Sequence, residues 1–251
     1  MSHCFYNNLI NIVLRKCKII IKLLLMKFSF SIVFILLLSI KLHAQWNSNT
    51  TVNTPVCVAQ KSQQNIHAVT DTKGGCIIAW DDNRNSATNA TDIYAQRLNA
   101  DGIAKWTADG ISVCNNTLNQ GGVSIAEDGV GGAIVTWHDN RSGNYDIYAQ
   151  RIDSLGNAVW AANGVVICNK STDQKGARIV SDNAGGAIIV WEDSINNYWD
   201  IYAQKITANG TVAWASNGIA ICKAANTQIN PRIDIDGAGG AIITRSEEHH
   251  V

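Results

Sequence analysis

The chain holds two prolines and two methionines in 251 residues, and nowhere does it space apolar residues at i, i+3 and i+4. Without that helical spacing, a helix bundle or α/β fold has no basis, and strands must bury a composition that is 46% hydrophobic. Charge is sparse, at 16% of residues, and unevenly placed. No acidic residue precedes Gln45, whereas six of the 20 Lys and Arg do, so the remainder carries 14 basic and 20 acidic side chains. That acidic surplus contains no basic run, which excludes nucleic acid as a partner because phosphates demand clustered Lys and Arg. There is no Cys-x-x-Cys, and the one adjacent histidine pair is His249-His250 at the very end, so metal ligation has no support.

The first 44 residues have the look of an export signal. Met26-Lys27 is a short basic start, Phe28 to Ile40 an apolar stretch, and Leu42-His43-Ala44 a small-residue end. Residues 26–44 therefore read as a signal peptide cut before Gln45, and residues 1–25 as an upstream start assigned too early. The second reading is an uncut anchor, with Ile19 to Leu42 long enough for one membrane-spanning helix although Lys22 and Lys27 interrupt it. Either way the expected address is secreted or cell surface, and any membrane contact runs through the uncleaved signal alone.

Residues 45–251 form one domain because they repeat themselves. DIYAQ begins at Asp92, Asp146 and Asp200; Trp106, Trp160 and Trp214 each follow it by 14 residues, and Cys114, Cys168 and Cys222 follow those by eight. An Asp-x-x-Gly-Gly element recurs at Asp71, Asp128, Asp182 and Asp236. A 54-residue period of this kind marks an array of supersecondary units. In-phase cysteines of neighbouring units lie too far apart for a disulfide, so Cys57, Cys114, Cys168 and Cys222 are expected as buried free thiols, with Cys76 as core filler.

The third copy shows the unit most clearly. Ala177 to Ser181 alternates as a strand, Asp182 to Gly186 turns, and Ala187 to Trp191 is continuously apolar. Glu192 to Asn197 reads as a second turn, Trp199 to Ile206 as a third strand, Asn209-Gly210 as a third turn, and Val212 to Cys222 as the remainder. Second strands with no polar face belong to sheets covered on both sides. Four strands in about 50 residues is the blade of a β-propeller. The expected fold is thus all-β, with antiparallel four-stranded blades at about 66–114, 122–168 and 177–222 and a partial one at 231–244. Upstream, Trp46 and Cys57 read as the last strand of a preceding unit. About 3.5 blades make an incomplete propeller, a fragment or frameshifted product, whose open blade edges invite self-association.

The set Trp-x-Asp-x-Arg, DIYAQR, Gly-x-x-x-Trp and Gly-x-x-x-Cys resembles the propeller-type repeats of large secreted proteins of Bacteroidota, which often end in a type IX secretion sorting module. This resemblance spans roughly Val56 to Thr244. It implies a secreted bacterial repeat protein and is silent on activity; no sorting module is present in the sequence. Gly102 to Trp106 is also similar to the tryptophan-docking element of quinoprotein propellers, which implies packing of one blade on the next and no quinone chemistry.

Residues present in every copy are explained by the fold, so functional candidates must depart from it. The loop after the second strand varies in length and sequence, and polar loops on a constant frame are where specificity resides. Its candidate ligand residues are Asp82, Arg84, Asp139, Arg141, Tyr145, Asp193, Tyr198 and Trp199. The Asp-x-Arg pairs also read as a charged hairpin clamp, and the third copy lacks the arginine. His67, His138 and Glu127 are unique to their copies, yet no partner at defined spacing accompanies them, so no catalytic residue and no cofactor is assigned. The expectation is a non-catalytic binding or scaffolding module for a carbohydrate or protein ligand. The alternatives are a fragment of a propeller glycosidase or lyase, with paired carboxylates at the central opening, and a structural spacer.

Overall fold

The computed structural model describes residues 51, 53–85, 90–195 and 198–247, all within one compact unit spanning residues 45–251. The first blade comprises β1 (Gln63–Thr70), β2 (Cys76–Asp82), β3 (Asp92–Leu98) and β4 (Ile111–Cys114). The second comprises β5 (Gln120–Glu127), β6 (Ala133–Asp139), β7 (Asp146–Ile152) and β8 (Val165–Cys168). The third comprises β9 (Gln174–Ser181), β10 (Ala187–Ile195), β11 (Tyr198–Ile206) and β12 (Ile219–Cys222), and β13 (Gln228–Ile235) pairs with β14 (Ala241–Glu247). Strands within each sheet neighbour one another in chain order and run antiparallel, and no helix occurs among the described residues. The chain is an all-β protein of antiparallel, propeller-type blades.

The repeated motifs build this frame. Asp71 Oδ1 accepts the backbone N–H of Lys73 and of Gly75, closing the β1–β2 turn, and Asp128, Asp182 and Asp236 close theirs the same way. The last glycine of the element is obligatory, since a Cβ on Gly75 would sit 2.1 Å from the Leu98 carbonyl oxygen. Asp71 Oδ2 takes the guanidinium of Arg97, the arginine of DIYAQR, at 2.8 Å. Arg97 also donates to the Ser154 carbonyl of the second blade, and Arg151 repeats both contacts with Asp128 and Ala208. Buried Gln96 accepts the Trp106 N–H and donates to the Thr107 carbonyl, as Gln150 and Gln204 do in their copies.

Tryptophans then lock blade to blade. Trp106 lies against Gly156 of the second blade, and Trp160 against Gly210 of the third, each indole N–H reaching the carbonyl of Ser154 or Ala208. This is the docking that Gly-x-x-x-Trp implies. Within a blade the tips of Trp80, Trp137 and Trp191 press on Gly110, Gly164 and Gly218. The apolar faces of adjacent blades close over one another: Ile77, Ala79 and Ile93 meet Val123, Ile125 and Trp137, and Ile134, Ile147 and Ala149 meet Ile179, Ile189 and Trp191. Coverage on both sides is why the second strands carry no polar alternation. First strands pack on first strands, β1 on β5, β5 on β9 and β9 on β13, and so form the inner edge of the array.

Several boundaries differ from the sequence reading. Each first strand begins two or three residues earlier than expected, at Gln63, Gln120, Gln174 and Gln228. A β-bulge follows this start, with Asn65, Gly122, Gly176 and Asn230 at φ of 50–65°, and it breaks the alternation that marks a strand in sequence. Glu192 belongs to β10 rather than to a turn. Val212 contributes a single bridge to Ile206, leaving β12 to start at Ile219. Cys57 lies outside any strand, although its sulfur accepts from Arg84 as Cys114 accepts from Arg141. The signal segment, Trp46, loop residues 86–89, residues 196–197 and His249-His250 lie outside the described residues.

Candidate functional site

Strand direction puts Asn83 to Asn85, residues 90–91, residues 140–145 and the inter-blade links (115–119, 169–173 and 223–227) at one end of the array. The Asp-x-Arg pairs sit there as an internal clamp. Asp82 has no exposed surface; it accepts the Trp80 indole N–H at 2.6 Å and two guanidinium N–H groups of Arg84, and Arg84 lies 3.9 Å over the Tyr94 ring. Burial alone would raise the Asp82 carboxyl, but these donors hold it below the usual carboxylate range. Asp139, Arg141, Trp137 and Tyr148 repeat the arrangement. In the third blade Lys170 supplies the cation, 2.6 Å from Asp193 and 3.6 Å from the Tyr202 ring centroid. The structure therefore aims Asp82, Asp139 and Asp193 into the frame. Directly across the hairpin, Asp92 pairs with Asp82 and is raised by burial, with Asn85 opposing the shift.

The aromatic candidates stand differently. Tyr198 begins β11 and is 49% exposed, with Trp199 half-buried beside it. Tyr145 is half-buried; its ring meets His138 edge-on at 4.9 Å, and the Lys175 ammonium lies over its face at 4.2 Å. Lys175 is in turn 3.1 Å from Asp173, which accepts the Tyr145 N–H.

That contact leads to a group the sequence reading did not assemble. The residue after each clamp tryptophan changes in every copy, Asp81, His138 and Glu192, and each lies close to the inner strand of its own blade. Asp81 accepts the N–H groups of Gly122 and Val123 in the second blade at 2.9 and 3.2 Å, and the Asn65 side chain at 2.6 Å. Glu192 accepts the Asn230 N–H of the fourth sheet at 2.7 Å through one oxygen. Between them, Asp81 Oδ2 and His138 Nε2 flank Gly121, lying 3.3 and 3.4 Å from where its Cβ would stand. His138 rests its ring on Gly122, whose added Cβ would fall 2.5 Å from Cε1, and its buried Nδ1 has no hydrogen-bond partner.

A second position on the inner strands varies too: His67, Ser124, Arg178 and Arg232 stand in phase. His67 and Arg178 lie near enough for their charges to interact, as do Arg178 and Glu192. Burial raises the Asp81 carboxyl, against the pull of its three donors, and burial raises Glu192 likewise. Burial, together with the Lys175 charge, takes His138 down to about 4. Chemically, the inner edge offers cationic and anionic side chains, an aromatic face and a neutral imidazole. Asp81 is committed to three hydrogen-bond donors, so it is not a free base. Among the described residues no group of three or more His, Cys, Asp or Glu is placed to hold a metal ion.

Sequence held the signal for this group: the position after the clamp tryptophan of the three complete copies holds a different residue each time, Asp81, His138 and Glu192. The bulge that brings Gly122 and Asn230 under these side chains could not be read there.

No family model matches the chain, and neither does any curated protein. Among solved structures it is similar to the endo-arabinase of Bacteroides thetaiotaomicron, with a TM-score of 0.43 and 12% identity over 74% of this chain and 71% of that one. A likeness of this degree concerns the course of the chain, and no residue or activity is carried across from it.

Proposed function

We propose that the chain is an exported propeller-type binding module whose ligand, a carbohydrate, is held at the loop-bearing end of the inner edge. One observation carries this reading. The charged residues common to the copies are consumed by the frame, whereas side chains that differ from copy to copy, Asp81, His138, Glu192 and Tyr145 with Lys175, gather at this end. A half-buried tyrosine beside fixed polar groups is suited to a sugar ring with its hydroxyls. Glycan-array binding by the purified protein tests the reading: Tyr145→Ala should abolish it, while Tyr198→Ala and Trp199→Ala report whether the outer loop takes part. Binding indifferent to all three substitutions overturns the site. N-terminal sequencing of exported protein should begin at Gln45.

The propeller-enzyme reading draws on one feature, the carboxylates of buried Asp81 and half-buried Glu192 in equivalent positions of the first and third blades. Asp81 spends its oxygens on backbone donors, which favours binding over hydrolysis. Release of reducing ends from a bound glycan, lost in Glu192→Gln, would reverse that preference. Self-association is the remaining part of the proposal. Ile242 is 59% exposed although its counterparts Ile134 and Ile188 are buried, and a groove lined by Val56, Ile66, Ile78 and Trp80 lies on the first blade. Sedimentation velocity at increasing concentration should show association, which Ile242→Lys weakens.

A further inference from the structure

Arg178 and Arg232 occupy the same position of β9 and β13, two first strands that pack directly on one another. Both guanidiniums turn back in the same way, Arg178 to the Ala177 carbonyl at 2.8 Å and Arg232 to the Pro231 carbonyl at 3.3 Å. Their remaining N–H groups make no hydrogen bond among the described residues, and neither arginine forms an ion pair there. This differs from Arg84, Arg97, Arg141 and Arg151, each of which is spent on a carboxylate of its own blade. Burial and the neighbouring Arg232 charge lower the Arg178 guanidinium against the opposing pull of Glu192, which acts on it through its charge without forming an ion pair. Such an arrangement costs stability and is relieved when an oxyanion takes the free N–H groups in a forked, charge-assisted contact.

We propose that Arg178 and Arg232 bind the anionic group of an acidic sugar, a carboxylate or a sulfate ester. The inference rests on the proposed carbohydrate reading and names the class of sugar. Glu192, close to Arg178, and the exposed Asn230 beside it provide hydrogen-bond partners for hydroxyl groups next to the anion. A densely acidic peptide fits less well, because Glu192 and the acidic surplus of residues 45–251 repel clustered carboxylates while tolerating an isolated one.

Calorimetric titration of the purified full chain with a neutral galactan oligomer ending in a single galacturonate, its methyl ester, a singly sulfated galactan oligomer and a glutamate-rich peptide tests this. At least one anionic sugar should bind ten-fold or more tightly than the methyl ester, and Arg178→Gln and Arg232→Gln should each remove that advantage. Arg232 is exposed, so its substitution separates lost binding from lost folding. Neither anionic sugar exceeding the ester, or variants that bind the anionic sugar as tightly as the parent protein does, overturns the proposal. Loss in Tyr145→Ala without loss in the arginine variants would keep the carbohydrate site and discard the anion contact. Tighter binding of the peptide than of either sugar overturns the sugar assignment.

Discussion

Lys170, on the link between the second and third blades, holds Asp193 at 2.6 Å, in the place that Arg84 and Arg141 take from within their own turns. The third copy has Ile195 where the others have arginine, so its clamp exchanged one cation for another from a different segment. Asp193 is fully buried, and a buried carboxylate stripped of its partner costs about 3 kcal/mol. Lys170→Ala should lower stability by about that amount in urea unfolding, and adding Ile195→Arg should restore most of it by rebuilding the clamp of the first two blades. Additive losses in the double variant would show that the cations are not interchangeable.

The motifs were legible because the clamp, the Asp-x-x-Gly-Gly turns and the tryptophan docking repeat at fixed spacing, the first two within a hairpin and the third from blade to blade. Glu192 was not, because its role depends on a bulge in the next sheet, where Asn230 at a φ of 53° points its N–H at the carboxylate. Lys170 was invisible for a related reason: it sits on an inter-blade link, and its partner is 23 residues away in β10. Contacts repeated in every copy could be read from their spacing, whereas contacts between blades made in one copy alone, such as Glu192 with Asn230, could not.

Two glycines with similar backbone separate crowding from strain. Gly110 has a φ of 89°, and an added Cβ would lie 2.6 Å from the Trp80 ring and 2.8 Å from the Ala95 carbonyl; Gly129 has a φ of 77° and nothing within 4 Å. Gly129→Ala should cost about 1 kcal/mol, the left-handed backbone alone. Gly110→Ala should cost about 2 to 4 kcal/mol, because the clamp tryptophan must also move. Denaturant midpoints with unchanged slopes measure both, and equal losses would mean that the Trp80 contact adds nothing.

The thiols offer a direct check on the frame. Cys114 and Cys168 are fully buried, and burial pushes each to about 12, so neither supplies thiolate near neutral pH. In native protein at pH 8, labelling by an aromatic disulfide reagent should be unchanged by Cys114→Ala or Cys168→Ala, while in urea each substitution should remove one reactive group. A drop in native labelling for either variant would place that cysteine outside the core.

His138 should make the protein acid-sensitive before its carboxylates do. Its folded value of about 4 lies below the ordinary 6.5, so an unfolded chain takes up the proton first as pH falls. Stability from the neutral imidazole is therefore fully present above pH 6.5 and lost progressively toward pH 4, by at most about 3 kcal/mol. Asp81 and Glu192 act oppositely. Their raised values mean that folding favours the protonated acids, so both soften the acid loss once pH reaches the carboxylate range. A urea-midpoint profile should fall between pH 6.5 and 4.5 in the parent protein and flatten there in His138→Gln. A profile equally steep in that variant would assign the loss to groups other than His138.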